Sequence, residues 1–228
     1  HVDNVMGVSQ SVVDFHHDHG LFLGARTRVV HNALKPDLVP AASGRNFPVS
    51  RPFVLGFIGR VEKFKGVETL LEAFRTLAGH FPVQLRIAGR GDEAYVASLK
   101  EKYGDLPVTF VGFAKNTEFY QAIDALVYPS EWLEALGNSV FEAFSQGVPV
   151  VGSDVGGIPE TIDHGTNGFI FKAGQPAALA EAMQGVVQDP NGYEQLSVAA
   201  LKKSHEYAAP RRAQEYIDFL KDVVKGPP

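Results

Sequence analysis

The sequence lacks several features that would assign a protein to a special class. It has no cysteine among 228 residues, which excludes a disulfide framework and a thiolate zinc site. No apolar run approaches the roughly 20 residues that a membrane-spanning helix needs, and no signal-peptide pattern is present at its start. There is no excess of basic residues, because the net charge is −5, so sequence-independent nucleic-acid binding is not expected. We therefore expect a cytoplasmic protein.

What is present is the composition of an ordinary globular protein. Hydrophobic residues make up 45% of the chain and charged residues 21%. At roughly 150 residues per domain, the length suggests one large domain or one and a half.

From about residue 53 onward, short apolar runs alternate with segments of helical periodicity. The clearest helical stripe spaces apolar residues at i, i+3, i+4 and i+7 between Val67 and Ala78. The runs that we interpret as strands are 53–58, 83–88, 108–111, 125–128, 148–151 and 169–171. This alternation predicts an α/β fold, a Rossmann-like parallel sheet with helices on both faces. In such sheets, ligands bind beyond the carboxyl ends of the strands.

The two ends of the chain do not follow this repeat. Residues 1–34 are typical of a strand, a helix and a strand, and Ser9 is suited to cap the helix. Residues 35–52 are rich in proline, serine and glycine, as linkers are. We therefore divide the chain into a remnant of another domain (1–34), a linker (35–52), a domain (53–206) and a final helix (207–228).

Two cations follow the first strand of the repeat. Arg60 comes directly after Gly59, and Lys65-Gly66 leads into the next helix. Both cations should therefore lie at the carboxyl edge of the sheet. Arginine presents a planar fork that suits phosphate oxygens, and lysine a mobile point charge. The alternative is that both are solvated loop charges.

A second stretch, residues 129–151, places a helix start between two carboxylates. Free amides at Leu136, Gly137 and Asn138, with Asn138 as the N-cap, would form a seat for a diphosphate. Glu142 lies one turn further, where it can accept both hydroxyls of a ribose. Glu134 precedes the helix and would meet the group on the far phosphate. The alternative makes both glutamates solvated, or Glu142 only a favourable charge early in a helix.

Together these residues resemble a known family, the retaining nucleotide-sugar glycosyltransferases of the bacterial "group 1" type, also called family four, which have two Rossmann domains (GT-B). The resemblance is detailed over about residues 53–190. It rests on Gly59-Arg60-x4-Lys65-Gly66, Pro129-Ser130, Glu134-x7-Glu142, Gly147-x-Pro149-Val150-Val151 and Gly156-Gly157-x-x-Glu160.

The resemblance implies a role for each matching residue. Arg60 and Lys65 would hold the diphosphate of the donor, Glu142 the ribose and Glu134 the transferred hexose, so Glu134, Arg60 and Lys65 are the expected catalytic set. Leu136 stands where the family usually has an aromatic residue, a change that leaves the backbone amides available. No cofactor is implied beyond the donor substrate. A metal is not expected either, because the Asp-x-Asp pair of metal-dependent glycosyltransferases is absent.

The same resemblance places the acceptor site in an amino-terminal Rossmann domain that would precede residue 1, with roughly 150 residues. The final helix would cross back onto that domain. We therefore expect a donor-binding domain of an enzyme of glycan or polysaccharide biosynthesis, with a glycan or lipid-linked acceptor. The 228-residue chain should be inactive alone. Peripheral association of the full-length enzyme with the inner face of the membrane is left open.

Weaker signals leave alternatives. Gly89-x-Gly91-x-x-Ala94 loosely matches a dinucleotide fingerprint, and an NAD-linked oxidoreductase module is one rival; a non-catalytic nucleotide-binding domain is another. In the resembled family, Gly89, Gly112 and Phe113 would border the nucleotide base. Gly156-Gly157 would form an anion-binding nest or simply turn the chain.

Overall fold

The computed structural model describes residues 2–36 and 38–225. Over these residues the chain forms eight strands and eight α-helices, and the last three helices follow the last strand. The strands are β1 Asn4–Gly7, β2 Arg26–Val29, β3 Phe53–Ile58, β4 Val83–Ala88, β5 Val108–Gly112, β6 Ala125–Tyr128, β7 Val150–Ser153 and β8 Gly168–Phe171. The helices are α1 Gln10–Asp18, α2 Val67–Ala78, α3 Glu93–Lys102, α4 Asn116–Gln121, α5 Asn138–Ser145, α6 Pro176–Val187, α7 Pro190–Ser204 and α8 Ala209–Lys225. Short 3-10 turns cover Lys63–Lys65 and His205–Tyr207.

Six parallel strands form the main sheet in the order β5-β4-β3-β6-β7-β8. The chain starts in the middle at β3, builds outward to β5, then returns to place β6 on the other side of β3. The loops after β3 and β6 therefore diverge to opposite faces and leave a crevice between them. This confirms the predicted Rossmann-like α/β fold.

Buried apolar residues cover both faces of the sheet. On one face α2 packs beside α6, and the stripe predicted from the sequence supplies Val67, Leu70, Leu71, Phe74 and Leu77 to the core. On the other face α5 packs against α7. Burial on both faces explains why the central strands β3 and β6 are almost continuously apolar, whereas β4 and β5, toward one edge, alternate between more buried and more exposed residues.

One predicted strand is displaced by two residues. The sequence indicates a strand over 148–151, whereas β7 runs from Val150 to Ser153. Gly147 takes a left-handed conformation, with φ of 65°, and the amide of Val148 donates to the carbonyl of Ala143 at 3.1 Å. The end of α5 thus holds this part of the chain, which enters the sheet only at Val150.

Residues 38–52 form an irregular strap that lies along the domain. Its main anchor is Arg45, whose guanidinium donates to the carbonyls of Gln146, Ile123 and Tyr120 at 2.8, 2.6 and 2.9 Å. Arg51 adds a two-pronged ion pair with Asp124, at 2.6 and 2.7 Å. The strap is therefore fixed by side-chain hydrogen bonds, although its role as a linker between two domains stays a prediction.

The first unit, β1-α1-β2, docks on the domain through a helix end. Ser9 caps α1 by accepting from the amide of Val12 at 3.1 Å, as predicted. Glu160 accepts from the amides of Gln10 and Ser11, both at 2.8 Å. A carboxylate at a helix N-terminus is favoured by the helix dipole. The sequence motif Gly156-Gly157-x-x-Glu160 thus holds this unit in place.

The last helix, α8, returns to the same unit. Asp222 forms ion pairs with Arg26 and Arg28 of β2, both at 3.5 Å. Residues 226–228 of the predicted final segment lie outside the described residues. Within 2–36 and 38–225, no helix is both long and apolar enough to cross a bilayer.

The strap makes a stability prediction. Replacing Arg45 with methionine leaves three carbonyls without their charged donor, so we expect the free energy of unfolding to fall by about 3 kcal/mol. The exposed Arg75, which pairs with Asp105 at the surface, is the control. Arg75→Met should cost far less, because surface ion pairs contribute little to stability. Urea denaturation followed by circular dichroism measures both, and equal losses would show that the strap does not hold the domain.

Candidate functional site

Two adjoining cavities lie at the crevice between β3 and β6. One, of about 140 Å³, is lined by residues of the loops after both strands, among them Arg60, Lys65, Ser130 and Ser139. The other, of about 250 Å³, lies toward β4 and β5. They share Ile58, Gly59 and Arg60, so they form one continuous cleft. Its position is that expected for a ligand in a sheet of this topology.

The loops after β3 and β6 are pressed together. Gly66 has a left-handed φ of 68°, and a Cβ at this position would lie 1.9 Å from the carbonyl oxygen of Pro129. The amide of Glu131 donates to the carbonyl of Phe64 at 2.9 Å. Only glycine can therefore occupy position 66 without moving the neighbouring loop.

Lys65 and Glu134, two predicted site residues, contact each other. The ammonium of Lys65 forms an ion pair with Oε1 of Glu134, and the hydroxyl of Ser130 donates to the same oxygen at 2.9 Å. Only 16% of the Lys65 side chain and 15% of the Glu134 side chain are exposed. The pair is thus partly shielded from water. In such a shielded site, opposite charges attract each other more strongly than at an open surface.

Tyr128, at the end of β6, adds to this environment. Burial raises the pKa of its phenol well above the ordinary value, and the neighbouring Glu134 raises it further. The phenol is therefore a neutral donor at the floor of the cleft.

Arg60 is the more exposed of the two cations. Its side chain is 65% exposed, its guanidinium pairs with Glu62 at 3.0 Å, and the guanidinium carbon lies 5.2 Å from the centre of the Phe64 ring. The ammonium of Lys65 lies 5.7 Å from the centre of the same ring. The structure thus brings both predicted cations to the cleft, beside one aromatic side chain.

Helix α5 begins at the cleft, as predicted, but its cap differs. Gly137, with φ of 79°, is the N-cap, and Asn138 is the first helical residue. The prediction of Asn138 as N-cap is wrong, because its side-chain oxygen accepts from Asn32 at 3.0 Å instead. Leu136 is buried in the core, and of the first residues of α5 it is Ser139 that lines the cavity. The first amides of α5 have no partner within the helix, as at every helix start.

Glu142 lies one turn into α5 and is almost completely buried, with 4% of its side chain exposed. Its Oε2 accepts from Asn116 at 2.7 Å and from the hydroxyl of Tyr120 at 3.0 Å. Its Oε1 faces the ammonium of Lys35 at 3.0 Å. Burial, and then the nearby Glu142, raise the pKa of Tyr120. The sequence predicts Glu142 at the site but not these partners.

Lys35 and Asn32 are site residues that sequence reasoning missed. Both precede the strap, in a segment interpreted as the border of a linker, yet they contact Glu142 and Asn138 of α5. No periodicity marks such contacts, since more than 100 residues separate the partners along the chain. The pattern Asn-x-x-Lys, just after a strand, was the only signal available.

The two glycines 156 and 157 support the site without forming an anion nest. The amide of Gly157 donates to the carbonyl of Glu134 at 2.8 Å. A Cβ on Gly156 would lie 2.2 Å from that same carbonyl oxygen. These glycines therefore hold the backbone that carries Glu134, which decides between the two interpretations of the sequence.

The wider cavity contains the residues predicted to border a base. Gly89 donates its amide to the carbonyl of Gly112 at 2.7 Å, and Phe113 lines the cavity with 77% of its side chain exposed. Asn116, which holds Glu142, also lines it. This cavity is thus linked to the Glu142 carboxylate by one amide side chain, and its role in holding a base stays a prediction.

The same region disfavours dinucleotide binding. A Cβ on Gly91 would lie 1.9 Å from the carbonyl oxygen of Val61, so this glycine serves contact with a neighbouring loop. Asp92 caps α3 by accepting from the amide of Tyr95 at 2.9 Å. A carboxylate therefore occupies the helix start where the pyrophosphate of a dinucleotide would bind.

Two larger cavities, of about 450 and 440 Å³, flank the edge strand β8. They are broad surface grooves and contain none of the predicted site residues. Among the described residues, no group of three histidine, aspartate or glutamate side chains is placed to hold a metal ion. The expectation of a metal-independent site stays a prediction.

Comparisons with known proteins agree on a family. The model of the glycosyl transferases group 1 matches residues 42–203. The chain is 33% identical over 163 residues to the sulfoquinovosyl transferase SQD2 of Arabidopsis thaliana, covering 69% of this chain and 31% of the relative. It is 31% identical over 185 residues to a glycogen synthase of Mycobacterium tuberculosis, covering 78% of this chain and 44% of the relative. The chain therefore spans less than half the length of these curated relatives.

Solved structures with the same fold include Anabaena HepE in complex with UDP and glucose, with a TM-score of 0.84, 23% identity and coverage of 96% of this chain and 63% of that one. A sucrose-phosphate synthase from Thermosynechococcus elongatus gives a TM-score of 0.83 at 25% identity, with coverage of 98% of this chain and 59% of that one. These likenesses confirm the fold as that of GT-B proteins.

The contact between the two loops makes a prediction. Gly66→Ala should lower the free energy of unfolding by at least about 2 kcal/mol more than Gly174→Ala, because overpacking adds to backbone strain. Gly174 has a similar φ of 70° but nothing within 4 Å of its Cβ position, so it isolates the cost of the left-handed backbone, about 1 kcal/mol. Chemical denaturation of both variants measures the difference. Equal losses would mean that the loops are free to separate.

Proposed function

Because the chain belongs to the group 1 glycosyl transferases, we propose that it is the donor-binding domain of a retaining glycosyltransferase that uses a nucleoside diphosphate sugar. The observation that carries this proposal is the convergence of Arg60, Lys65 and the start of α5 at one crevice, with a carboxylate on either side. Two cations and a helix N-terminus suit a diphosphate. Glu142 and Glu134 are then placed to accept hydroxyls from the ribose and from the sugar.

In the proposed reaction, the bond between the anomeric carbon and the oxygen of the β-phosphate breaks, and its electron pair leaves with the phosphate. The acceptor hydroxyl oxygen forms the new bond to the same carbon on the same face. Its proton passes to the departing diphosphate. Arg60, Lys65 and the amides of α5 stabilise the negative charge that develops on the leaving group, the usual source of much of an enzyme's rate.

The ion pairs at the site support this assignment, since each can be exchanged for a ligand group. Lys65 contacts Glu134, so a phosphate that takes over Lys65 would free Glu134 to accept sugar hydroxyls. Lys35 is 57% exposed although its partner Glu142 is buried, so it can swing into solvent when ribose hydroxyls approach. Asn116 and Tyr120 keep the Glu142 carboxylate in place during that exchange.

The wider setting is part of the same proposal. The acceptor is a glycan or lipid-linked sugar in glycan biosynthesis, held largely by a further Rossmann domain, and the enzyme works in the cytoplasm without a metal. Names such as sulfoquinovosyl transferase and glycogen synthase among the relatives are consistent with sugar transfer. The NAD-linked rival is disfavoured by the Asp92 cap on α3.

The cations give the first test. Arg60→Ala and Lys65→Ala should each weaken binding of the tightest of UDP, ADP and GDP by about 1.5–3 kcal/mol, the range for charged hydrogen bonds. Isothermal titration calorimetry measures this. The control is Lys172→Ala, which removes a surface cation paired with Asp154 and should change affinity by less than about 0.5 kcal/mol. Unchanged affinity in both site variants would eliminate the diphosphate clamp.

The proposed contact between Glu142 and the ribose gives the second test. Glu142→Gln keeps the shape of the side chain but weakens its acceptance of hydroxyls, so affinity for the nucleoside diphosphate should fall by about tenfold. The 2′,3′-dideoxy analogue lacks both hydroxyls, and its affinity should be the same for the variant and the parent chain. Equal losses for both nucleotides would show that Glu142 acts through the structure of the site and does not contact the ribose.

A further inference from the structure

The single tryptophan of the chain, Trp132, lies two residues before Glu134, in the loop after β6, which lines the cleft at Pro129 and Ser130. Its side chain is 64% exposed, and that of the adjacent Leu133 is 45% exposed. A large aromatic side chain in water is costly unless something covers it, and tryptophan is enriched where proteins bind partners.

The backbone under this side chain is held by its neighbours. The amide of Glu131 donates to the carbonyl of Phe64 at 2.9 Å, and the hydroxyl oxygen of Ser130, whose proton goes to Glu134, lies 3.2 Å from the carbonyl oxygen of Trp132. The hydroxyl of Thr69 in α2 donates to the carboxylate of Glu131 at 2.5 Å. Trp132 is therefore presented by a fixed loop, so binding to it would require little ordering of the chain.

Phe64 links the indole to the reacting part of the cleft. Its ring centre lies 6.1 Å from that of Trp132, 5.2 Å from the guanidinium carbon of Arg60 and 5.7 Å from the ammonium of Lys65. The aromatic surface thus continues outward from the two cations that we assign to the diphosphate. A molecule that covers Trp132 would sit next to the sugar held at Glu134.

We propose that Trp132, backed by Phe64, is a stacking platform for the acceptor and that the acceptor group it takes is a neutral hexopyranoside. This rests on the proposed function, because it is the donor site that places Trp132 beside the transferred sugar. The chain then contributes a specificity-determining residue to the acceptor site, in addition to holding the donor.

The chemistry of the rim favours a pyranose over other flat or apolar ligands. One face of a pyranose ring carries only C–H groups, whose partial positive charge suits the negative face of an indole. Its hydroxyls point outward in the ring plane, and Glu131, the exposed residue before Trp132, offers a carboxylate to accept from them. The negative charge of Glu131 would repel an anionic lipid surface. The nucleobase already has its own cavity, beside Phe113.

A single tryptophan allows a direct test, since the ¹⁵N-labelled chain gives one indole N–H resonance. With the chain saturated by UDP, methyl β-D-glucopyranoside, methyl β-D-galactopyranoside and the methyl β-glycoside of N-acetylglucosamine are titrated separately. At least one should shift the indole signal saturably in the millimolar range, whereas glycerol at the same concentration should not. The binding seen by saturation-transfer NMR on that glycoside should be lost in Trp132→Ala and kept within about tenfold in Trp132→Phe.

Two controls and three contradicting outcomes complete this test. UDP affinity, measured by calorimetry on the same samples, should change less than about twofold in Trp132→Ala. Tyr216→Ala, which removes an exposed aromatic from α8, should leave glycoside binding intact. Failure of UDP, ADP and GDP alike to bind would overturn the proposed function. UDP binding with an indole signal that no glycoside moves would overturn the platform alone. Broadening of that signal by phosphatidylglycerol vesicles, but not by glycosides, would overturn it in favour of a lipid surface.

Discussion

The close contact between two loops, 59–66 after β3 and 129–137 after β6, is the constraint on which the site depends. Parallel strands that neighbour each other end at the same edge, and the chain leaves β3 and β6 toward opposite faces, so a crevice opens there. Gly66 lets the first loop lie against the Pro129 carbonyl, and Gly156 lets a third loop lie against the backbone of Glu134. These contacts fix Lys65 and Glu134 within reach of each other. The assignments of Lys65 and Glu134 follow from that spacing.

A second property of the site is that its charges are already paired. Lys65 is held by Glu134, Arg60 by Glu62, and Glu142 by Lys35. A ligand with a diphosphate between two groups of hydroxyls matches this arrangement. Its phosphates can replace the carboxylates that pair with Lys65 and Arg60, and its hydroxyls can replace the ammonium that pairs with Glu142. Pairing in the free chain limits the repulsion among like charges and keeps the side chains ordered, which lowers the cost of binding.

The sequence predicts those parts of the structure that local pattern controls. The six strands of the main sheet and the apolar face of α2 follow from burial on both faces, and the cleft follows from the order of strands and loops. Arg45, Asn32 and Lys35 could not be found in this way, because they lie in irregular segments and contact residues 75 to more than 100 positions away. The Asn138 cap was wrong for the same reason, since a distant Asn32 competes for its side chain.

The central claim is that a nucleoside diphosphate binds at the crevice between β3 and β6 and replaces Glu134 as the partner of Lys65. A crystal structure of the chain with UDP tests it most directly. We expect phosphate oxygens within hydrogen-bonding distance, about 2.7–3.2 Å, of the Lys65 ammonium and of the first amides of α5, with the ribose toward Glu142. UDP bound elsewhere, for example in the grooves that flank β8, or bound with the Lys65–Glu134 pair intact and its phosphates in solvent, would contradict the account.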